Sequence, residues 1–306
     1  MRTTIRFMVA LTLILLMTTA TAFAGGGQEE EAAAANELEI FSWWTAGGEA
    51  EALQALIDIY NEKYPDVEVI NATVAGGAGT NAKAVLATRM QGGNPPDTFQ
   101  VHAGRELIDT WVVSDFMEPV TFVLEDNGWM DVYPDDVIDI ISDDGEVYSI
   151  PVNIHRSNVM WYNISIFEEH GLEPPETVED FFNVAEELQA EGVTPLALGD
   201  TNVWPSTHLM ESVLVAGLGP EGYKGLWTGD TRWDSDAVRA SLSRMADMLD
   251  YVNDDHSALT NIDAASYVAE GKAAMTVMGD WVHGYYLSQN LEPNEDYGYA
   301  PTPGTN

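Results

Sequence analysis

Leu38-Glu39-Ile40-Phe41-Ser42-Trp43-Trp44 reads as a strand, and the segments after it set the fold class. From Glu49 to Lys63, the apolar residues Ala50, Leu53, Leu56, Ile57 and Tyr60 recur at helical spacing on one face. Tyr64-Pro65-Asp66 stops that helix, because proline lacks the N–H a helix interior needs. Val67 to Ile70 then returns to strand. Strand, helix and strand in this order make a β-α-β unit, which predicts α/β layers built on parallel sheets.

The pattern continues outward from this unit. Asn81 to Met90 predicts a second helix, Asn94-Pro95-Pro96 breaks it, and Thr98 to His102 predicts a third strand. Gly76-Gly77-Ala78-Gly79-Thr80 lacks the lysine of a phosphate-binding loop and reads as a turn before the helix. Asp144-Gly145 marks a hairpin between Ile141 and Val147. Thr177-Val178-Glu179-Asp180 has the form of a capping box, with Asp in the usual place of Glu or Gln, and opens a helix through Leu188 that ends near Gly192. Val238, Leu242, Met245 and Leu249 stripe a later helix, and Ala273 to Met278 and Tyr297 to Ala300 are further strands. Pro151 fixes an extended segment at Ile150 to Arg156, which predicts the crossing between a first α/β lobe at 38–151 and a second at 152–306.

Before the first strand lies a segment of another kind. Arg2 and Arg6 precede an apolar run from Phe7 to Met17, and Ala22-Phe23-Ala24 closes it, the pattern of an export signal over residues 1–24. Residues 25–37, rich in Gly, Glu and Ala at their start, predict a disordered lead-in. The chain has no cysteine, so neither an N-terminal lipid anchor nor a disulfide is expected, and the mature protein is expected to be soluble outside the cytoplasm. Twelve basic residues stand against 50 acidic ones, a net charge of −38. Such a surface repels nucleic acid and anionic membrane, and its spread along the chain reads as a solvated coat.

Candidate site residues fall where open α/β sheets bind ligands, at the carboxyl ends of strands. The first strand ends in Trp43-Trp44 and runs through a glycine turn to Glu49. The third ends in Gln100-Val101-His102, which places Gln100 and His102 on one face. Two large aromatics, an amide, an imidazole and a carboxylate in one cleft suit a sugar: aromatic faces cover the C–H patch of a pyranose while polar groups bond its hydroxyls. Core packing is the competing reading for either tryptophan, since alternation can turn one of them inward. Neither a Gly-x-Ser-x-Gly elbow nor a His-Glu-x-x-His segment occurs, and acidic pairs such as Asp135-Asp136 and Asp254-Asp255 read as solvated loop charge. An exported glycosidase, with carboxylates at fixed separation, is therefore the weaker reading. No metal and no cofactor is expected.

Four segments carry a resemblance: Leu38 to Trp44, Pro95-Pro96-Asp97-Thr98-Phe99-Gln100-Val101-His102, Pro151-Val152-Asn153-Ile154-His155-Arg156-Ser157-Asn158, and Gly271-Lys272-Ala273-Ala274-Met275 through Gly279-Asp280-Trp281. From about Leu38 onward the chain resembles the glucose/mannose-type periplasmic sugar-binding proteins of extracellular solute-binding family 1, relatives of maltose-binding protein. The resemblance implies a type II periplasmic binding protein of two hinged α/β lobes that delivers a monosaccharide such as glucose, mannose or galactose to ABC permease subunits, as a monomer and not as an enzyme. It also implies that Trp43 and Trp44 stack on the sugar, that Glu49, Gln100 and His102 bond hydroxyls, and that Trp281 contributes from the second lobe. Asn153 and Asp280 carry over more weakly, a hinge amide and a helix-capping carboxylate being equal alternatives. Asn261 stands where some relatives have another tryptophan. Oligosaccharides and glycerol phosphates are ligands elsewhere in the wider family; of the basic residues, Arg105 and Arg156 are the ones placed near the proposed site. The resemblance further implies a longer chain, with closing helices beyond Asn306.

Overall fold

A computed structural model describes residues 36–45, 47–76 and 79–305. The expected export signal and nearly all of the expected lead-in lie outside these residues.

The opening unit forms as its sequence directs. Strand β1 (Glu37–Ser42), helix α1 (Gly47–Lys63) and strand β2 (Glu68–Thr73) follow one another, then helix α2 (Thr80–Gln91) and the short strand β3 (Thr98–Phe99). The sheet order is β2-β1-β3, parallel throughout, with Phe41 paired to Ala72 on one side and Phe99 on the other. Phe41 packs with Ala82, Leu86, Met90 and Trp111 between sheet and helix. Arg89 of α2 forks onto both carboxylate oxygens of Glu39 at 2.6 and 2.5 Å, a bidentate brace between helix and central strand. The hydrogen bond from Arg89 holds the Glu39 carboxyl below its ordinary range.

A π-helical turn (Glu106–Val112), helices α3 (Thr121–Asp126) and α4 (Asp135–Ile140), and a hairpin of β4 (Ser142–Asp143) and β5 (Glu146–Val147) complete this lobe. The hairpin turns at Asp144-Gly145, where both residues have positive φ.

The chain passes through 148–158 without regular structure and enters β6 (Val159–Asn163). There follow α5 (Ile164–His170), α6 (Val178–Ala190), β7 (Thr194–Ala197), α7 (Trp204–Thr228), α8 (Asp236–Met248), α9 (Asn261–Ala269), β8 (Ala273–Met278), α10 (Trp281–Ser288) and β9 (Tyr297–Pro301). The second sheet runs β7-β8-β6-β9. Only β7 and β8 are parallel in it; β6 runs antiparallel to both β8 and β9, so the parallel expectation holds for the first sheet and not the second. The reason is connectivity: β6 arrives from the crossing segment and not from a helix laid over the same sheet, so no βαβ crossover fixes its direction.

Strand β8 is buried along its whole length, which explains its unbroken apolar run Ala273–Met278. On one face, Met160, Phe167, Phe181, Leu188, Leu196, Met248 and Met275 form the largest core cluster. The capping box at Thr177 is complete, with Asp180 bonded back to the Thr177 backbone at 3.0 Å. The stripe on α8 differs from its sequence reading. Val238, Ser241 and Met248 are buried, whereas Leu242 is 39% and Leu249 37% exposed. Helix α8 packs along α7, and small Ser241, its hydroxyl bonded to the Ala237 carbonyl, faces inward on that seam in place of Leu242.

Candidate functional site

On the first lobe the site grows from the ends of β1 and β3. The backbone pairing of β3 extends one residue past the strand, where Gln100 N–H donates to the Phe41 carbonyl. Alternation then sends Val101 into the core and Gln100 and His102 to the opposite side. Gln100 Oε1 accepts the Trp43 backbone N–H at 3.1 Å, so the amide braces the chain where it leaves β1. The Trp43 ring lies against Gly79, where a Cβ would come within 2.8 Å of the indole, with the His102 ring at 4.9 Å and Lys83 Nζ 5.8 Å over the ring. His102 Nδ1 is 3.0 Å from Glu106 Oε2 and 3.1 Å from Lys83 Nζ, which itself pairs with Glu106. Burial would raise the Glu106 carboxyl, but the bonds from His102 and Lys83 outweigh it and hold the group below its usual range.

Trp44 goes the other way. It is 7% exposed and packs with Leu53 and Ile57 of α1, its indole Nε1 buried without a partner among the described residues. Of the tandem pair, Trp43 is partly open and Trp44 backs it from the core.

The second-lobe side is built where β8 ends and α10 begins. Asp280 Oδ2 accepts the Arg156 backbone N–H at 3.1 Å, and the Asp280 N–H donates to the Arg156 carbonyl at 3.0 Å. This reciprocal pair ties the crossing segment to the second lobe. Trp281 folds its ring over Gly279, where any Cβ would collide with it. Around Trp281 stand His155 at 5.1 Å, Trp204 at 6.0 Å and His208 at 5.6 Å between ring centroids. Trp204 is delivered by strain: Val203, a β-branched residue, has φ 66° immediately before the first turn of α7.

His155 joins the two sides. Its Nδ1 is 2.6 Å from Asp280 Oδ1 on the second lobe, and its Nε2 is 3.2 Å from Glu49 Oε1 at the start of α1, with the Asn153 amide 2.8 Å from the same nitrogen. Hydrogen bonding to Glu49 raises the His155 pKa; burial opposes this, and the Asp280 carboxylate adds to the rise. The His208 pKa moves in the other direction: burial lowers it, a backbone hydrogen bond at Ser157 opposes this, and the nearness of His102 on the facing lobe adds to the lowering. The His102 and His208 sides of the two lobes are thus within electrostatic reach of one another.

The structure therefore gathers Trp43, Glu49, Gln100, His102, Asn153, Asp280 and Trp281 along the facing ends of both lobes, and sets Trp44 behind them. His155, Trp204 and His208 were not singled out from sequence as site residues. The available signals were slight: a histidine two residues beyond Asn153 in the extended crossing, and a Trp-Pro pair opening a helix. Chemically the cleft offers aromatic faces, amides, imidazoles and carboxylates, the means to hold a polyhydroxylated ring. Among the described residues no group of three or more His, Cys, Asp or Glu side chains could hold a metal ion. No helix of the described residues is long and apolar enough to cross a membrane. A cavity of about 350 Å³ is bounded by Glu173–Glu176, Ala300 and Pro301, and none of these residues is among those gathered here.

Two α/β lobes with polar and aromatic side chains gathered between facing helix starts make a mixed α/β fold of the binding-protein type. Residues 43–306 match the bacterial extracellular solute-binding protein family, and the chain belongs to it. It is 40% identical over 269 residues to an uncharacterized ABC transporter extracellular-binding protein of Pyrococcus horikoshii, covering 87% of this chain and 60% of that one. It is 32% identical over 270 residues to a probable sugar-binding periplasmic protein of Brucella suis, covering 88% and 63%. Among solved structures, a chitin oligosaccharide binding protein superimposes with a TM-score of 0.72 at 22% identity, covering 88% of this chain and 67% of that one. The chain spans about three fifths of the length of these two relatives.

Proposed function

We propose that this protein is the extracytoplasmic ligand-capture component of an ABC sugar importer, binding a monosaccharide such as glucose, mannose or galactose and presenting it to the permease subunits. The observation that carries the reading is the opposition of Trp43 and His102 on one lobe to Trp281, Trp204 and His208 on the other, with Glu49, His155 and Asp280 bridging between them. In this reading Trp43 and Trp281 cover the apolar patches of the ring. Glu49, Gln100, His102, Asn153 and Asp280 exchange their present hydrogen bonds for bonds to sugar hydroxyls, and Trp44 holds Trp43 in place. The lobe boundary lies near residues 151 and 152, and the protein works as a monomer outside the cytoplasm. Family membership and a relative named a probable sugar-binding periplasmic protein support the transport role; the carbohydrate class rests on the cleft chemistry.

An oligosaccharide is the second reading, favoured by the oligosaccharide named for a structural neighbour, because stacking aromatics do not count sugar units. A thermal-shift screen of the full chain against hexoses, pentoses, and di- to tetrasaccharides separates the two, since a ligand of the folded state raises its unfolding midpoint. The largest shift is expected from a hexose. A shift that grows with chain length favours the second reading, and no shift with any carbohydrate overturns both.

A further inference from the structure

The first helix of one lobe and the last helix of the other meet on glycine. Helices α1 and α10 make the most extensive contact between elements of the two lobes among the described residues. At its closest point, a Cβ added to Gly284 would lie 2.9 Å from the backbone nitrogen of Gly48 and 3.2 Å from its Cα. Both obstacles are main-chain atoms, so no side-chain rotation could relieve the clash. The reverse substitution is milder: a Cβ on Gly48 would sit 3.5 Å from Gly284 Cα, an ordinary van der Waals distance. Neither residue has positive φ, so no backbone conformation demands glycine at either place. Within a helix such a glycine is disfavoured relative to alanine, and only the close approach explains it at 284.

The contact lies beside the cleft. Glu49 follows Gly48 directly, and Trp281 is three residues before Gly284, with Asp280 just ahead of it. The separation of the two backbones here fixes how closely Glu49 faces His155 and Asp280, and how far Trp281 stands from the first lobe. Resting on the sugar-capture reading, we infer that Gly284 is a positioning residue for ligand capture: the bare backbone contact with Gly48 sets how tightly the lobes close on the sugar. The residue touches no ligand itself and acts through the spacing of the groups that do.

The test compares the full chain with Gly284→Ala and Gly48→Ala. Calorimetry with the hexose giving the largest thermal shift is expected to show Gly284→Ala binding tenfold or more weakly, with Gly48→Ala much less affected. The sugar-free unfolding midpoint of Gly284→Ala should stay near that of the parent. A second readout needs no sugar: the NMR titration of His155, assigned with His155→Gln. Opening the seam draws Glu49 from His155, so Gly284→Ala should shift its titration midpoint down toward the ordinary imidazole range, and Gly48→Ala should shift it less. If the parent binds sugar and Gly284→Ala binds equally well, the inference is overturned. It is overturned likewise if both variants titrate as the parent does, or if Gly284→Ala lowers the sugar-free midpoint and leaves affinity unchanged. A parent that binds no carbohydrate, with His155 shifted by Gly284→Ala, sinks the sugar reading and leaves the seam standing.

Discussion

Trp43 and Trp44 are neighbours in sequence and chemically identical, yet their surroundings assign them different work. Trp43 is partly open beside His102, while Trp44 lies 7% exposed against Leu53 and Ile57. Trp43→Ala is therefore expected to weaken sugar binding by about 1–3 kcal/mol, as truncation of a central aromatic contact does, and to leave the sugar-free midpoint nearly unchanged. Trp44→Ala should do the opposite first. Emptying a buried indole site costs about 3–5 kcal/mol of stability, so its midpoint should fall before any question of affinity arises. Trp44→Phe should be far milder, because it also removes the buried Nε1 that has no partner among the described residues. Paired calorimetry and thermal unfolding of the three variants check this. Equal stability losses for Trp43→Ala and Trp44→Ala would place both rings in the core.

At the scale of single elements, local sequence rules account for where helices start. Thr177 accepts the Asp180 N–H at 3.1 Å, and Asp180 bonds back to the Thr177 backbone, so α6 begins where its capping box directs. The same box recurs at α9, where Thr260 and Asp263 exchange equivalent bonds. Thr177→Ala leaves the Asp180 backbone N–H without its hydroxyl acceptor in the first turn of α6, while the bond from the Thr177 N–H to the Asp180 carboxylate remains, and is expected to destabilise the protein by about 1 kcal/mol. Urea unfolding should show a lower midpoint with an unchanged slope. No loss at all would mean that water replaces the cap at this exposed site. Helix α7 begins differently: no side-chain cap is present, Pro205 occupies its first turn, and strained Val203 precedes Trp204. Its local start signal is Pro205 alone, and the packing of Trp204 against Trp281 and His208 adds to it.

At the scale of the whole molecule, His155 is one of the residues through which the lobes hold one another, beside the seam of α1 and α10. It bonds to Glu49 of one and Asp280 of the other, and both carboxylates favour its charged form. The Arg156 backbone N–H bonds the same Asp280 carboxylate, and His208 reaches the same ring cluster through Trp281. A histidine whose folded pKa is raised contributes stability that is fully present below the unfolded value of about 6.5 and is lost as pH rises through the folded value. The difference in unfolding midpoint between the parent and His155→Gln should thus be largest in mildly acidic buffer and shrink in alkaline buffer. A difference that is flat with pH, or that grows toward alkaline pH, would contradict a charged bridge between the lobes.

Periodicity and punctuation were enough to place β1, α1 and β2, the hairpin at Asp144-Gly145 and the capping box at Thr177, because each depends on residues close in sequence. Gln100 and His102 were also legible, since two-residue alternation past β3 puts them on one side whatever else the chain does. Three things were decided by tertiary structure. One tryptophan of a pair had to fill the space behind α1, and sequence neighbours do not say which. Leu242 was left in solvent because helix α8 turns Ser241 toward α7. His155, Trp204 and His208 became site neighbours of Trp281 through packing between segments up to 126 residues apart. Glu49 meets His155 across 106 residues for the same reason. Local hydrogen bonding and helical or strand period are written in short windows of sequence, whereas a cleft between lobes is a relation among segments whose separation only the folded backbone fixes.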